Sequence, residues 1–129
     1  MAKKLKAVYF CDPLGDRELE RDHIEMLLEH HEIEHDPVEI AEADPMYGDQ
    51  HFDVLFFDWG GMIIGCSGMI ESLLREIISH ATEHPSRLYV MASRFTKEAM
   101  EDALIEFGKE RPANIFLSLE DAIPYLKEN

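Results

Sequence analysis

The sequence predicts a three-layer α/β fold, in which helices cover both faces of a doubly wound sheet of five parallel strands in the order 2-1-3-4-5. Three observations lead to this prediction. Short apolar runs alternate with amphipathic helical segments, as they do in parallel sheets. Most of these runs are almost continuously apolar, which is typical of strands buried on both faces. The second strand carries a proline, which marks it as an edge strand.

Four of the predicted strands are apolar runs. They span residues 5–11 (LKAVYFC), 53–58 (DVLFFD), 87–92 (RLYVMA) and 113–118 (ANIFLS). The remaining strand, 32–40, alternates apolar and polar residues and contains Pro37. Because proline has no backbone N–H to donate to a neighbouring strand, this segment is predicted at the edge of the sheet. No tight-hairpin signal separates the runs, which disfavours an antiparallel arrangement.

Two segments between the strands show clear helical periodicity. The stronger spans 69–83, where apolar residues recur every three or four positions, and Pro85 ends it. The other spans 16–30. Four aliphatic residues are predicted on the buried side of this second helix: Leu19, Ile24, Leu27 and Leu28. Methionines are expected to fill gaps in the core: Met26, Met69, Met91 and Met100.

Two further helices are predicted near the end of the chain. One begins at Thr96, a favourable N-cap, and ends near Gly108, a favourable C-cap. The last follows Ser118, which could form a capping box with Asp121. Pro124 lies inside this last helix and is expected to distort it.

Length and composition are those of one globular domain, predicted to comprise residues 1–129. No apolar run approaches the roughly 20 residues of a membrane span, and no secretory signal is recognisable, so a cytoplasmic protein is expected. The two cysteines, Cys11 and Cys66, are too few for a disulfide framework and agree with a reducing compartment.

The charge balance excludes two classes of partner. The chain has 12 Lys and Arg against 27 Asp and Glu, a formal net charge of −15. Binding to nucleic acid or to an anionic membrane depends on clustered basic side chains, so neither is expected as a partner. The acidity itself is explained by solubility, with an acidic docking face as the alternative.

Ligands of doubly wound sheets bind beyond the carboxyl ends of the strands, where the strand order reverses. In this chain that point lies between the first and third strands. The residues predicted to bind a ligand there are Asp12, Asp58, Gly60, Gly61, Gly65, Ser67, Gly68 and Ser93. The alternative is that these polar residues simply form the loops that follow strands.

The segment 60–68 (GGMIIGCSG), which leads into the strongest helix, is the richest part of this edge. Glycines let a backbone approach an anion, and the amino end of a helix favours negative charge. The spacing of Gly60, Gly65 and Ser67 is similar to that of the phosphate loop of nucleotide-binding proteins. Cys66 stands where that motif requires lysine, so a turn followed by a helix cap is the alternative.

Histidines offer a second kind of site. His80 and His84 lie one turn apart near the end of the strongest helix, a spacing at which two imidazoles can hold zinc. A zinc site would need a third ligand from elsewhere in the fold. The alternative is that the histidines are favoured by the negative end of the helix dipole.

Over nearly its whole length the chain resembles response-regulator receiver domains, which have a flavodoxin-like fold. The resemblance rests on length, strand order and the pair Asp58-Trp59 at the end of the third strand. It implies that Asp58 occupies the position that accepts a phosphoryl group in that family. It also implies that Asp12 matches a magnesium-holding acidic residue, and that Ser93 lies near the family's Ser or Thr switch residue.

The chain departs from the receiver pattern at two positions. Cys11 precedes Asp12, where the family has a second acidic residue. The segment 116–119 (FLSL) lacks the lysine that follows the fifth strand in that family. Magnesium suits paired carboxylates, so Asp12 and Asp58 are the predicted ligands if a metal is bound.

These observations favour a small regulatory or interaction domain on a receiver-like scaffold, with a protein partner and without enzymatic activity. The alternative is an enzyme or sensor that binds a small phosphorylated or other anionic ligand, or Mg²⁺, at the carboxyl edge of the sheet. A homodimer formed through an exposed strand edge is a third expectation.

Overall fold

The computed structural model describes residues 4–11, 17–41, 51–58, 67–91, 101, 105 and 112–128. The strands are β1 (Ala7–Cys11), β2 (Glu39–Ile40), β3 (Val54–Asp58), β4 (Leu88–Met91) and β5 (Ile115–Phe116). They form one sheet in the order β2-β1-β3-β4-β5, and each neighbouring pair runs parallel. The predicted flavodoxin-like α/β fold is therefore confirmed.

Three helices accompany the strands: α1 (Arg17–His30), α2 (Ser67–Glu83) and α3 (Leu119–Glu128). The buried residues of α2 belong to one apolar cluster, and those of α1 and α3 belong to another. The two clusters lie on opposite faces of the sheet, because adjacent strand residues alternate between them. Phe57, for example, belongs to the α2 cluster and Phe56 to the other. Helices on both faces are the consequence of parallel crossovers of one hand.

The strands are shorter than predicted, and β2 shows why. Leu5 and His35 form an isolated parallel bridge, and regular pairing resumes only at Glu39 and Ile40. Pro37 lies between these two points and has no N–H to donate, so the ladder is interrupted there. The predicted edge strand is confirmed as an edge, but two residues of it form the regular strand.

Helix α1 begins near its predicted start, but its buried side differs from the prediction. Ile24 and Leu28 are buried, whereas Leu19 is 63% exposed. At about 100° per residue, Leu19 lies on the side of the helix opposite Leu28, nine positions later. Met26, predicted to fill a gap in the core, is 67% exposed, whereas Met91 is buried as predicted.

Helix α1 ends in a hydrogen-bonded cap. The N–H of Ile33 donates to the carbonyl of Leu28 at 2.9 Å, and the N–H of Glu32 donates to that of Glu29 at 3.0 Å. This pattern is a Schellman motif, and it requires Glu32 to adopt a positive φ of 59°. The buried side chain of Ile33 follows the turn and joins the core cluster that contains Leu28.

The last helix confirms half of its predicted capping box. The Ser118 hydroxyl oxygen accepts a hydrogen bond from the backbone N–H of Asp121 at 3.2 Å. The helix continues through Pro124, which is exposed.

The helix predicted from Thr96 to Gly108 lies outside the described residues apart from Glu101 and Ile105, which are both helical. No helix within the described ranges is long and apolar enough to cross a bilayer.

Candidate functional site

The carboxyl ends of β1 and β3 lie side by side. Their register pairs the Cα atoms of Cys11 and Asp58, the last residue of each strand. Asp12 follows Cys11 directly in the sequence. Five of the predicted ligand-binding residues lie outside the described part of the chain: Asp12, Gly60, Gly61, Gly65 and Ser93. Their assignment, and that of Mg²⁺ to Asp12 and Asp58, therefore remains a prediction.

The amino end of α2 borders the same edge of the sheet, since this helix follows β3. Ser67 and Gly68, both predicted ligand-binding residues, are its first two residues. The first turn of α2 carries no acidic residue, whereas α1 begins with Glu18 and Glu20. The positive end of the α2 dipole therefore has no carboxylate from its own first turn beside it, in contrast to that of α1.

A second polar cluster lies at the opposite, amino edge of the sheet. The last turns of α2 bring the rings of His80 and His84 to 4.3 Å between centroids. The Nδ1 atom of His80 lies 2.5 Å from the hydroxyl oxygen of Tyr89, which belongs to β4. Phe52, just before β3, stacks on the His80 ring at 6.0 Å and meets the Tyr89 ring edge-on at 5.8 Å.

Arg87 completes this cluster, in the turn between α2 and β4. Its guanidinium carbon lies 4.8 Å from the centre of the Phe52 ring, as in a cation–π contact. Arg87 also forms a side-chain hydrogen bond with Tyr89. These surroundings shift the pKa values of Tyr89 and His80. Burial raises the pKa of Tyr89 to about 12, against a smaller opposing effect of the nearby Arg87.

The pKa of His80 is lowered from its usual value of 6.5. Partial burial is the largest cause, and the neighbouring charges of His84 and Arg87 act in the same direction. The carboxylate of Glu83 opposes them. Folding therefore favours the neutral form of His80.

Asn114 links the end of α2 to the sheet through hydrogen bonds. Its side-chain NH2 group lies 2.9, 3.1 and 3.0 Å from the backbone carbonyl oxygens of Ala81, His84 and Arg87, which share its two hydrogens. These carbonyls belong to the last turn of α2 and to the turn that follows it, where backbone groups lack helical partners. The N–H of Tyr89 in turn donates to the Asn114 carbonyl at 2.8 Å.

Sequence reasoning identified His80 and His84 in this cluster but missed Tyr89, Arg87 and Asn114. A tyrosine in an otherwise aliphatic strand, LYVM, was the available signal. Within the part of the chain that the structure describes, no three His, Cys, Asp or Glu side chains come close enough to hold a metal ion. The predicted alternative of a zinc site at the histidine pair thus has no third ligand among those residues.

The outer face of α1 carries an exposed apolar pair, Leu19 and Met26. Seven positions separate them, so they lie two turns apart on the same side of the helix. Between them lies His23, which is also exposed. Three acidic residues on α1 are exposed as well: Glu18, Asp22 and Glu29.

No protein-family model, curated protein or solved structure matches the chain. The fold therefore gives the class, an α/β protein with the flavodoxin-like strand order, and inferences about function rest on the residues described above.

Proposed function

We propose that this chain is a regulatory or interaction domain on a receiver-like scaffold, and that it binds a partner protein through the outer face of α1. The observation that carries the proposal is the exposed apolar pair Leu19 and Met26. A single exposed apolar side chain is common on any protein surface. Two large ones on one side of a helix, whose other side is buried in the core, form a surface suited to a groove or pocket on a partner.

The charges around the pair define the chemistry of that partner. Glu18, Asp22 and Glu29 lie along one side of the apolar pair, and the whole chain has a formal charge of −15. The nearby cation Arg21 contacts Asp22 at 3.1 Å and Glu25 at 3.6 Å, so its charge is locally compensated. A second copy of this chain would bring like charges together. We therefore expect a partner with an apolar pocket bordered by Lys and Arg.

Photo-crosslinking tests this surface in the full-length chain. A photoreactive amino acid in place of His23, between Leu19 and Met26, should form an adduct with the partner. The same group in place of Glu120, which is exposed on α3, is the control and should not form that adduct. The partner identified in this way is then purified and its affinity for the chain is measured.

In that binding assay the Leu19→Ser/Met26→Ser double variant should bind about tenfold more weakly or worse, because apolar anchors carry much of the energy of an interface. Ile105→Ser is the control, since Ile105 is an aliphatic residue outside α1 that is even more exposed than Leu19 and Met26. Added salt should also weaken binding, because opposite charges attract across the interface. An adduct formed equally from both helices, or a homodimer as the main species, would contradict the proposal.

The register of the strands favours a second candidate function, the binding of Mg²⁺ or a small phosphorylated ligand at the carboxyl edge. The observation is the pairing of the Cα atoms of Cys11 and Asp58, and Asp12 is the residue that follows Cys11 in the sequence. Carboxylates that approach each other at such an edge are the oxygen ligands that Mg²⁺ prefers. The amino end of α2 at the same edge favours a phosphate group.

Thermal unfolding with and without Mg²⁺ and inorganic phosphate tests this second function. A ligand that binds only the folded chain raises its Tm. Asp58→Asn should abolish the rise. Asp36→Asn is the matched control, because Asp36 is exposed and lies before β2, away from the carboxyl edge. If Mg²⁺ and phosphate leave the Tm of the wild-type chain unchanged, this edge does not bind them.

A further inference from the structure

The contact between α2 and β4 contains one hydrogen bond whose direction depends on the tautomer of His80. Tyr89 is fully buried, and its hydroxyl group meets both Arg87 and the Nδ1 atom of His80. A guanidinium group only donates, so Arg87 donates to the tyrosine oxygen. In the neutral tautomer of His80 that carries its proton on Nε2, the Nδ1 atom accepts the hydroxyl proton of Tyr89. In this tautomer every polar atom of the contact has a partner.

A second proton on His80 would disrupt this arrangement. Protonation turns Nδ1 from an acceptor into a donor, so Nδ1 and the hydroxyl group would both present hydrogens to each other. The tyrosine could turn its proton away, but the hydroxyl would then lose the acceptor that it has in the buried cluster. An unpaired buried donor is costly, which opposes protonation of His80 in the folded state.

Two of the three charges near His80 add to this cost. His84, directly after α2, opposes protonation, whereas the carboxylate of Glu83, in the same helix as His80, favours it. Arg87, in the following turn, places a second cation nearby. From β4 comes Tyr89, whose pKa of about 12 keeps it neutral. The element before β3 presents the uncharged ring of Phe52.

The two residues that flank Phe52, His51 and Asp53, contact each other. The Nε2 atom of His51 lies 3.6 Å from a carboxylate oxygen of Asp53. The other carboxylate oxygen of Asp53 accepts a hydrogen bond from the backbone N–H of Lys6 at 2.8 Å. The charges that shift the pKa of His80 are those of His84, Arg87 and Glu83.

We propose that His80 is a proton-sensitive latch, which holds the last turns of α2 against β4 when neutral and releases them when protonated. The joint between these elements has two parts. The hydrogen bond between His80 and Tyr89 depends on protonation, whereas the bonds that Asn114 makes to the α2 carbonyls do not. Acid therefore weakens one part and leaves the other, and the result is local opening rather than unfolding of the whole sheet.

The direction of the pH effect follows from the lowered pKa. A group with a pKa below 6.5 in the folded state stabilises the joint fully above 6.5. This contribution is lost as the pH falls from 6.5 through the pKa of the folded state. The latch is thus closed at neutral pH and opens in mild acid.

Hydrogen exchange of the full-length chain tests the latch. Protection factors of the last turns of α2, corrected for intrinsic rates, are compared at about pH 7.5 and about pH 5. They should fall in acid, in the limit by about tenfold for each unit by which folding lowers the pKa of His80. His80→Gln retains an acceptor for the Tyr89 hydroxyl but does not titrate, so it should abolish this fall. His23→Gln, which removes an exposed histidine from α1, should behave as the wild type.

NMR titration of the histidine ring protons gives an independent readout in the wild-type chain, whether or not His80→Gln folds. His80 should titrate below 6.5, and Tyr89→Phe should move its pKa back towards 6.5, because the neutral ring loses its hydrogen bond. A His80 that titrates at or above 6.5 overturns the latch. So does an acid-induced loss of protection that persists unchanged in folded His80→Gln.

Discussion

The side-chain nitrogen of Asn114 lies 2.9 Å from the backbone carbonyl oxygen of Ala81, thirty-three positions earlier in the chain. Tyrosines aside, Asn114 is the only buried polar residue among those whose burial the structure describes. The same amide group also lies within hydrogen-bond distance of the carbonyls of His84 and Arg87. A single side chain therefore connects the end of α2 and the turn after it to the start of β5. This contact explains why α2 can end against the sheet without leaving buried carbonyl groups unpaired.

Replacement of Asn114 should therefore be costly. Asn114→Ala removes the donor shared by three backbone carbonyls, and we expect it to lower the free energy of unfolding by about 2 to 3 kcal/mol. Urea unfolding followed by circular dichroism measures the change. Lys127→Ala, an exposed substitution on α3, is the control and should change stability by less than about 0.5 kcal/mol. Equal stability of the two variants would show that the Asn114 contacts contribute little.

The core on the α2 side of the sheet can be tested with two identical substitutions. Ile77 is fully buried in α2, whereas Ile105 is 79% exposed. Ile77→Val removes one methylene group from a packed site and should cost about 0.5 to 1.5 kcal/mol. Ile105→Val should leave the free energy of unfolding nearly unchanged, because its side chain is in water. Similar losses for both variants would mean that Ile105 is buried in solution.

The fold could be predicted because its strongest signals are local in sequence. The run VLFFD in β3 is apolar at successive positions, and this pattern occurs where both faces of a strand are covered. The structure confirms this, since Phe56 and Phe57 enter different core clusters. Pro37 was equally informative, because a residue without a backbone N–H cannot donate to a neighbouring strand and therefore favours the edge of a sheet.

The predictions that failed concern properties set by the rotation of a helix along its length or by contacts between elements distant in sequence. Leu19 was assigned to the buried side of α1 because it is aliphatic, but the rotation of the helix places it opposite Leu28. The contacts of Tyr89 and Asn114 join elements distant in sequence, and no local pattern encodes them. The position of Asp58 at the edge of the sheet was predictable, because parallel strands end together and the polar residue follows an apolar run.

The phenol group of Tyr89 should limit stability at alkaline pH. Its pKa is raised from 10.0 to about 12 in the folded protein, mainly by burial, so folding favours the protonated form. This stabilising contribution is fully present below 10.0 and is lost as the pH rises towards 12. The free energy of unfolding should therefore fall across that interval, and more steeply in the wild type than in Tyr89→Phe. Spectrophotometric titration should show one tyrosine that ionises last.

The control for this titration is Tyr125→Phe. Tyr125 is about half-exposed on α3, where its ring packs 4.9 Å from that of Phe116. Removing it should leave the late-ionising tyrosine in place and should leave the alkaline fall in stability unchanged. If the last transition disappears in Tyr125→Phe and persists in Tyr89→Phe, the burial of the Tyr89 hydroxyl is not what raises the pKa.

The turn after α1 offers a substitution that should stabilise the protein. Glu32 has a φ of 59°, a conformation that costs a residue with a Cβ atom about 1 kcal/mol or more and costs glycine little. Glycine is also the preferred residue at this position of a Schellman motif. Because glycine increases the entropy of the unfolded chain, part of the gain is offset. We expect Glu32→Gly to raise the free energy of unfolding by about 0.5 kcal/mol.

The same replacement at Glu29, three positions earlier, is the control, and its effect on the free energy of unfolding should have the opposite sign. Glu29 lies inside α1 and is exposed, so Glu29→Gly should lower the free energy of unfolding by about 1 kcal/mol, the usual penalty for glycine in a helix. Both side chains are exposed and carry the same charge, so the loss of a surface carboxylate is common to the two variants. The difference between them in urea unfolding therefore reports the backbone conformation alone. If both variants are destabilised equally, Glu32 does not adopt the positive φ in solution.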